Sequence, residues 1–460
     1  MVFQFPGVKF DLDIIKKYNT PTPRYTSYPP ATELSEDFGV KDFKEAISVS
    51  NQRKTPLSLY FHIPFCENAC YYCGCNTIFS QKKEIAIPYV EHLIREIQQK
   101  ASLIDSNRKV VQMHWGGGTP NYLSIHQVKQ LWGNINQYFN FDASPEVSIE
   151  INPTSVDRDY ILFLREIGFN RISFGIQDFN YQVQVAVNRV QPEEMLFNVM
   201  RWIREAGFKS VNVDLIYGLP YQTLHGFWKT VTKTIKLEPD RIAVFNFAYV
   251  PWLKPLQKKL PVHALPQAQE KLEILRLTIE ELTANQYQFI GMDHFAKASD
   301  ELAIAQNNGS LGRTFQGYTT HAETEVFGFG STSVSILRDT YAQNHKKLKD
   351  YYQAIDAGIL PITKGFKLTW DDILRRDIIM CIMSGKTLLF SDIESKYQIN
   401  FNEYFCQELE ALKLLEADGL INLSSTQISV TEIGRLLVRN IAFIFDARKA
   451  TQKNKFSRSI

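Results

Sequence analysis

The sequence predicts an α/β protein built around a complete or partial TIM-type (β/α) barrel, and three observations support that fold class. From residue 57 onward, short β-branched segments alternate with longer amphipathic segments, which is the pattern of parallel βα units. Two of these units share a five-residue pattern, since REIGF at 165–169 is followed by REAGF at 204–208. After about residue 340 the alternation stops and helical patterns replace it.

Six segments are predicted as barrel strands and five as the helices between them. The strands are 57–63, 109–115, 146–151, 171–176, 210–216 and 242–247, and the helices are 87–104, 126–138, 158–167, 193–206 and 223–236. Gly168 and Gly207 follow two of these helices, at the position where a left-handed residue commonly ends a helix. In such a barrel we expect the chemistry at the carboxyl ends of the strands.

The chain divides into three predicted regions: an N-terminal arm (1–55), a barrel domain (56–340) and a C-terminal helical domain with a basic tail (341–460). The arm contains four prolines between residues 21 and 30 and is predicted to be extended. In the C-terminal region, helices at 370–384, 390–397 and 402–418 precede short strands near 420–430 and a helix from Glu432, an order that resembles a winged helix. The helix at 402–418 is strongly acidic, which disfavours binding to nucleic acid.

Composition restricts the class of protein. Of the 460 residues, 44% are hydrophobic and 22% are charged, so the chain can bury a large core. The net charge of +2 gives no overall attraction to nucleic acid or an anionic membrane. Residues 1–20 lack the pattern of a signal peptide, and the longest uncharged apolar stretch, 242–253, is short for a spanning helix. We therefore predict a cytoplasmic protein that binds neither nucleic acid nor membranes, and we separately expect a monomer.

Four of the six cysteines are clustered directly after the first predicted strand, as Cys66, Cys70, Cys73 and Cys75. A structural zinc site usually needs a second cysteine or histidine cluster, which this sequence lacks. Thiolates also bind iron–sulfur clusters, and three ligands on a four-iron cluster leave one iron open for a small molecule. Cys75 is either a fourth ligand or a free thiol, and the complete three-cysteine spacing favours the free thiol.

The C-x3-C-x2-C spacing after a barrel strand resembles the signature of the radical S-adenosylmethionine enzymes. The resemblance implies that Cys66, Cys70 and Cys73 hold a 4Fe-4S cluster, whose free iron binds the methionine end of S-adenosylmethionine. It further implies that one electron cleaves this cofactor to a 5′-deoxyadenosyl radical, so the cofactor supplies the difficult chemistry while the protein positions it.

Further stretches resemble the oxygen-independent coproporphyrinogen III oxidases of haem biosynthesis, nearly from end to end. They are RYTSYPP (24–30), YFHIPFCENACYYCGCN (60–76), HWGGGTP (114–120), SIEINP (148–153), FGIQDFN (174–180), VNRVQ (187–191), VDLIYGLP (213–220), GMDHFA (291–296), FQGYTTHAETE (315–325) and FSRSI (456–460). This resemblance implies oxidative decarboxylation of coproporphyrinogen III to protoporphyrinogen IX, through removal of a propionate β-hydrogen.

The same resemblance assigns roles to individual residues. The contacts implied for the cofactor on the cluster are Tyr60, Gly117, Glu150 and Val334. A second S-adenosylmethionine is implied beside it, contacted by Tyr72, Gly118, Thr119, Gln177, Arg189, Asp214 and Ala248. His62 either tunes the potential of the cluster or is a satisfied core group, and together with Tyr60 and Glu150 it completes the predicted catalytic set. The residues after Ala248, at 249–255, depart from the family pattern.

The implied partners are coproporphyrinogen III, an electron donor such as flavodoxin or ferredoxin, and an electron acceptor that the sequence does not identify. A haem-binding chaperone built on the same barrel is the main alternative. In those relatives the three cysteines are followed by Asp-Phe, whereas this chain has Gly74 and Cys75, and they lack the stretch at 291–296. A simple electron carrier, the third possibility, would need neither Glu150 nor Asp214.

The tail from Asp446 to the end of the chain carries five basic residues, of which Lys453, Lys455 and Arg458 belong to the last eight positions. Such a tail is commonly just solvated. The alternative is that it attracts the four propionates of the substrate toward the barrel, an attraction that salt would screen.

Overall fold

In the computed structural model, which describes residues 1–449, the six predicted barrel strands are present and each pairs in parallel with the next. Their bounds are Leu57–Ile63, Lys109–Gly117, Asn140–Ile151, Arg171–Gln177, Ser210–Tyr217 and Arg241–Asn246. The prediction is confirmed, with the third strand beginning at Asn140 rather than at residue 146.

The helices between these strands also occur where the sequence predicts them. They are Ala86–Ala101, Ile125–Tyr138, Arg158–Ile167, Glu193–Ala206 and Leu224–Lys236. Ser124 begins the second of them by accepting a hydrogen bond from the backbone of Gln127. Gly168 and Gly207 end two others with φ of +122° and +77°. The main hydrophobic core lies between these helices and the sheet.

The sheet contains twelve strands within residues 1–449, and its two edge strands do not pair with each other, so the barrel is partial. Beyond the six parallel strands, one side adds Tyr287–Gly291 and His294–Lys297, and the other adds Glu325–Phe329, Val334–Ile336, Thr340–Asn344 and Ile362–Lys367. The boundary predicted at residue 340 therefore falls within the strand Thr340–Asn344, which pairs with a strand on each side. Helices Ala268–Ala284, Glu301–Asn307 and Leu348–Asp356 cover this part.

Shorter elements complete the barrel region. Strands Phe65–Cys66 and Ile78–Phe79 pair next to the first barrel strand, and Gly312–Thr314 pairs with Gly317–Thr319. Tyr181–Ala186 is a short α-helix. The 3-10 turns are Ala31–Glu33, Lys83–Ile85, Pro120–Tyr122, Pro153–Ser155, Pro255–Lys259 and Val262–Ala264. In the described part of the chain, no helix has both the length and the apolar character needed to cross a membrane.

The N-terminal segment is not simply extended, so that prediction is wrong at both of its ends. Strands Val2–Phe5 and Val8–Asp11 form a hairpin, and Leu12–Tyr18 and Val40–Arg53 are helices. The second helix buries Phe43 and Ile47 in the main core, and this apolar face outweighs the extended pattern suggested by the prolines at 21–30.

The C-terminal region has its own core. Its helices are Trp370–Met383, Phe390–Tyr397, Phe401–Tyr404, Cys406–Ala417 and Val438–Phe443, and its strands are Leu388–Leu389, Ile421–Leu423 and Gln427–Val430. The helix predicted over 402–418 is interrupted at Phe405, whose buried ring packs against Phe401 and Phe445. The last helix begins at Val438, after a 3-10 turn at Gly434–Leu437. The end of the basic tail (453–460) lies outside the described residues, so the proposed steering role stays a prediction.

Candidate active site

A cavity of about 430 Å³ opens at the carboxyl ends of the barrel strands. Most of the residues singled out from the sequence line it: Cys66, Cys70, Tyr72, Cys73, Gly117, Gly118, Thr119, Glu150, Gln177, Arg189 and Asp214. These residues come from five different strands or the loops that follow them. Chemistry at this end of the strands is what the barrel fold predicts.

The loop that carries the cysteines is attached to the barrel chiefly through peptide groups. The amide of Ile78 donates to the carbonyl of Pro64 at 2.8 Å, and the amide of Ser80 donates to the carbonyl of Cys66 at 3.0 Å. On its far side, the amide of Tyr71 donates to the carbonyl of Val187 at 3.0 Å. The path of the loop is thus set largely by main-chain hydrogen bonds.

The thiols of this loop lie in distinct surroundings. Cys66 Sγ is 3.2 Å from the hydroxyl of Thr119, and Arg189 Nη1 donates to Cys70 Sγ at 3.5 Å. A hydrogen bond from the Cys75 thiol lowers the pKa of Cys73 to about 6, and the Cys75 amide adds a second bond at 3.4 Å. Burial raises the pKa of Cys66 to about 11.

The chemistry of this donor set fits a thiolate-bound group. A metal ligand must be the thiolate, and the hydrogen bonds from Cys75 favour that form of Cys73, while Cys70 has a hydrogen-bond donor in Arg189. Within residues 1–449, no three His, Cys, Asp or Glu side chains converge as ligands of a single metal ion. The cysteines are instead distributed along the wall of a cavity, as ligands of a larger group would be.

The glycine loop after the second strand lies directly against the cysteine loop. Gly117 has φ of +116°, and a Cβ at this position would lie 2.6 Å from the ring of His62. A Cβ on Gly118 would lie 2.7 Å from the carbonyl of Pro64. Because this carbonyl belongs to the main chain, it cannot move aside. Only glycine fits at these two positions, so the main chain forms this wall of the cavity.

Glu150 ends the third strand and faces the cavity, with 46% of its side chain exposed. Its carboxylate is 3.3 Å from His114 Nε2 and accepts from the amide of Gly117 at 3.3 Å. Burial alone would raise the pKa of Glu150, but the hydrogen bond and charge of His114 outweigh it, and the pKa is lowered. Ser148 in turn is 2.7 Å from His114 Nδ1. This arrangement keeps an ionised acceptor open to a ligand.

Tyr60 and His62 lie behind the wall of the cavity rather than in it. The hydroxyl of Tyr60 is 3.1 Å from His62 Nδ1, and His62 Nε2 is 3.2 Å from the carbonyl of Asn76 in the cysteine loop. Both ring nitrogens of His62 therefore have partners, and burial lowers its pKa. These contacts are those of a satisfied core group that supports the loop.

The fourth strand and the segment after it carry polar side chains that have buried atoms without hydrogen-bond partners. Arg189 donates from Nη2 to the carbonyl of Gly175 at 3.0 Å, but its Nε is buried without a partner, as is Gln177 Oε1. A Cβ on Gly175 would lie 2.1 Å from Gln177 Nε2. Unsatisfied buried polar atoms are costly, so their presence at a cavity indicates a polar ligand.

Asp214 extends this polar side of the cavity. It accepts a hydrogen bond from Asn212 at 2.8 Å, but burial dominates and raises its pKa to about 7. A cationic or hydroxyl group brought by a ligand would meet a carboxyl that the protein itself leaves only partly satisfied.

Besides Tyr60, two further predicted contacts are outside the cavity wall. Ala248 is connected to the cysteine loop through buried Gln257, which donates to the carbonyls of Ala248 at 3.2 Å and Tyr72 at 3.4 Å. Val334 lies on an antiparallel strand beside Glu325–Phe329 and is buried. The roles of both stay predictions.

Three residues that shape the site, His114, Gly175 and Gln257, were not predicted from the sequence. His114 and Gly175 lie within the stretches 114–120 and 174–180 that resemble the family, but neither residue by itself signals a role on its strand. Gln257 lies in an irregular segment, and its sequence carried no such signal.

Comparisons with known proteins agree with this site. The Radical SAM superfamily model matches residues 60–233, and the HemN C-terminal domain model matches residues 368–437. The oxygen-independent coproporphyrinogen III oxidase of Synechocystis sp. is 56% identical over 466 residues, covering 100% of both chains. Its Escherichia coli counterpart is 46% identical, covering 98% of this chain and 99% of the relative. The solved E. coli coproporphyrinogen III oxidase (HemN), described as a radical SAM enzyme, superimposes with a TM-score of 0.92 at 45% identity, covering 96% of this chain and 99% of that one.

Proposed function

This chain belongs to the oxygen-independent coproporphyrinogen III oxidases, a family of radical S-adenosylmethionine enzymes of haem biosynthesis, and from that membership we propose how its own residues work. The reaction is the oxidative decarboxylation of coproporphyrinogen III to protoporphyrinogen IX. The observation that carries the proposal is the single cavity in which Cys66, Cys70 and Cys73 face Glu150 across a wall of glycine main chain.

Membership of this family implies a 4Fe-4S cluster and S-adenosylmethionine. We propose Cys66, Cys70 and Cys73 as the cluster ligands and Cys75 as a neighbouring thiol that donates to Cys73. When bound, the cluster and cofactor supply a 5′-deoxyadenosyl radical by one-electron cleavage. The protein contributes the three thiol ligands and a defined position for the cofactor.

Glu150 is proposed to hold the cofactor that binds at the cluster. Its carboxylate is kept ionised by His114 and is open to the cavity, so it can accept hydrogen bonds from an amino group or a ribose hydroxyl. The main chain at Gly117 supplies a surface without side chains for the same ligand. Tyr60 and Val334 complete this proposed set, Tyr60 by stacking on the His114 ring at 6.0 Å.

A second S-adenosylmethionine is proposed on the opposite side of the cavity. The contacts assigned to it are Tyr72, Gly118, Thr119, Gln177, Arg189, Asp214 and Ala248. The unpartnered atoms Gln177 Oε1 and Arg189 Nε support this assignment, since a ligand with both donors and acceptors would satisfy them. Two bound cofactor molecules would also match the number of propionates, two, that are converted in each substrate molecule.

In each conversion, a propionate loses a β-hydrogen atom, then carbon dioxide and one electron, and becomes a vinyl group. The hydrogen atom goes to the deoxyadenosyl radical and the electron goes to an acceptor whose identity is open. A donor such as flavodoxin or ferredoxin is proposed to supply the electron that starts the cycle. We propose that the chain acts as a monomer in the cytoplasm.

The test is anaerobic reconstitution of the full chain with iron, sulfide, dithionite, S-adenosylmethionine and coproporphyrinogen III. We expect loss of two molecules of carbon dioxide per substrate, with protoporphyrinogen IX identified by mass after oxidation to the porphyrin. A haem titration on the same preparation is the control for the chaperone alternative. Stoichiometric tight haem binding without turnover would overturn the proposed function.

A further inference from the structure

The segment that follows the last barrel strand, residues 249–259, has no part in the proposed chemistry but lies against the cysteine loop. Buried Gln257 binds the carbonyl of Tyr72, and Lys254 Nζ donates to the carbonyl of Cys75 at 3.5 Å. Residues 249–255 of this segment depart from the family pattern. Its contacts with the carbonyls of Tyr72 and Cys75 hold the segment against the cysteine loop, in which Cys75 is exposed at the cavity.

The tip of this segment presents two adjacent apolar side chains to solvent. Trp252 is 73% exposed and Leu253 is 65% exposed. The segment itself is anchored by Tyr249, which packs in a small hydrophobic cluster with Tyr71 and Tyr72 of the cysteine loop. Single exposed apolar residues are ordinary, whereas an adjacent pair that includes a tryptophan, on a segment packed against the active-site loop, is typical of a binding surface.

The same segment is basic. From Arg241 to Gln269 the sequence has no acidic residue, while Lys254, Lys258 and Lys259 lie within six positions of one another. None of these three lysines has a carboxylate within salt-bridge distance in the described part of the chain. Because the whole protein carries only +2, this positive charge is local and would orient an acidic partner toward the cysteine loop.

We propose that Trp252, Leu253, Lys258 and Lys259 form a docking surface for an acidic one-electron carrier protein. The inference rests on the proposed function, which requires one electron per cofactor cleavage. The reduced carrier loses that electron and the cluster held by the cysteines gains it, with no bond or proton transferred. A carrier on this surface lies next to the cysteine loop, because the segment that bears the surface contacts the carbonyls of Tyr72 and Cys75, and this gives the electron a short path.

The test uses reconstituted enzyme and a purified acidic flavodoxin as the probe, with affinity measured by surface plasmon resonance at low and high salt. One variant combines Lys258→Glu with Lys259→Glu, and another combines Trp252→Ala with Leu253→Ala. The matched control combines Lys346→Glu with Lys347→Glu, which makes the same charge change at exposed positions of another surface. We expect flavodoxin affinity to fall on the order of tenfold at low salt in the charge variant and to be unchanged in the control.

Dithionite-driven turnover separates this surface from the substrate site. With dithionite in place of flavodoxin, both surface variants should keep the wild-type kcat and KM for coproporphyrinogen III. Unchanged flavodoxin affinity would overturn the proposal, as would a raised KM for coproporphyrinogen III under dithionite, which would make this a substrate surface. If wild-type enzyme fails to turn over with dithionite, the proposed function fails, while the binding measurement still decides the docking surface.

Discussion

Two groups of charged and polar side chains are buried in this molecule, one beneath the strand Glu325–Phe329 and one around the cysteine cavity. In the first, Glu96 and Lys100 have no exposed surface and are 2.7 Å apart. Asn344 and Tyr351 donate to the same carboxylate at 2.7 and 2.6 Å. In the second, Arg189 and Gln177 each keep a buried atom without a partner.

The difference teaches how to distinguish a structural network from a ligand site. Burying a charge is tolerated when every polar atom finds a partner inside the protein, as around Glu96. Where burial leaves atoms unsatisfied beside a cavity, the missing partners must come from outside. Substitutions in the first group should therefore affect stability, and those in the second should affect binding.

The largest expected effect tests the cavity itself. Cys70→Ser should abolish the iron–sulfur absorbance and the activity, because a three-thiolate site has no spare ligand. Cys75→Ser, the matched control in the same loop, should keep its iron. Equal iron loss in both variants would replace the three-cysteine site with a four-cysteine one.

The second-largest effect is expected in the buried group around Glu96, in which the polar atoms have partners. Glu96→Ala leaves Lys100 buried without its counter-charge and should lower the free energy of unfolding by about 3–5 kcal/mol. Urea unfolding measures this, with Glu91→Ala on the exposed face of the same helix as control. If Glu96→Ala instead lost affinity for S-adenosylmethionine while its stability stayed unchanged, the distinction between the two buried groups would be wrong.

A smaller effect is expected at Arg189. Arg189→Ala removes the donor to Cys70 and an unsatisfied group of the cavity, so S-adenosylmethionine should bind about tenfold more weakly, or about 1.4 kcal/mol. Equilibrium dialysis with the reconstituted enzyme measures this, and exposed Arg201→Ala is the control. If the variant binds as much S-adenosylmethionine as the wild type but has a lower Tm, Arg189 has a structural role like that of Glu96.

The smallest effect concerns Asp214 in the cofactor-free protein. Its pKa is raised from 3.8 to about 7, so the folded state retains a proton that the unfolded chain has lost, and stability falls as pH rises across this range. Asp214→Asn should therefore become more stable than wild type toward pH 8, on the order of 1 kcal/mol because the cavity is open to water. Urea unfolding at pH 5 and pH 8 measures the difference, with exposed Asp142→Asn as control. An equal difference in unfolding free energy between variant and wild type at pH 5 and pH 8 would contradict this prediction.

Sequence patterns predicted the barrel well because its strands carry buried apolar residues at alternate positions, such as Ile172, Phe174 and Ile176. These patterns failed where contacts between distant parts of the chain determine the bounds of a helix or strand. The polar start of the strand Asn140–Ile151 is extended only because it pairs with the strand before it, and the helix Val40–Arg53 depends on the core that Phe43 enters. At Phe405 the helix breaks for the same reason, since its ring must reach Phe401 and Phe445.

For the site, the cysteine spacing and the motif resemblance identified most of the residues that line the cavity. His114 was missed because one histidine on a strand is no signal until the neighbouring strand brings Glu150 to 3.3 Å. Gln257 was missed because its role is to bridge two carbonyls from an irregular segment. Both act through contacts between strands or loops far apart in the chain, which local patterns do not encode.

The cysteine loop, held to the barrel by its peptide groups, has a consequence for how such enzymes evolve. A peptide hydrogen bond persists whatever side chain its residue carries, so a loop position whose side chain has open space can be exchanged without displacing the cysteines. At Gly74 a Cβ would meet nothing within 4 Å. Mutation can thus revise the polarity and shape around the cluster, one position at a time, while descendants inherit the same metal-binding geometry.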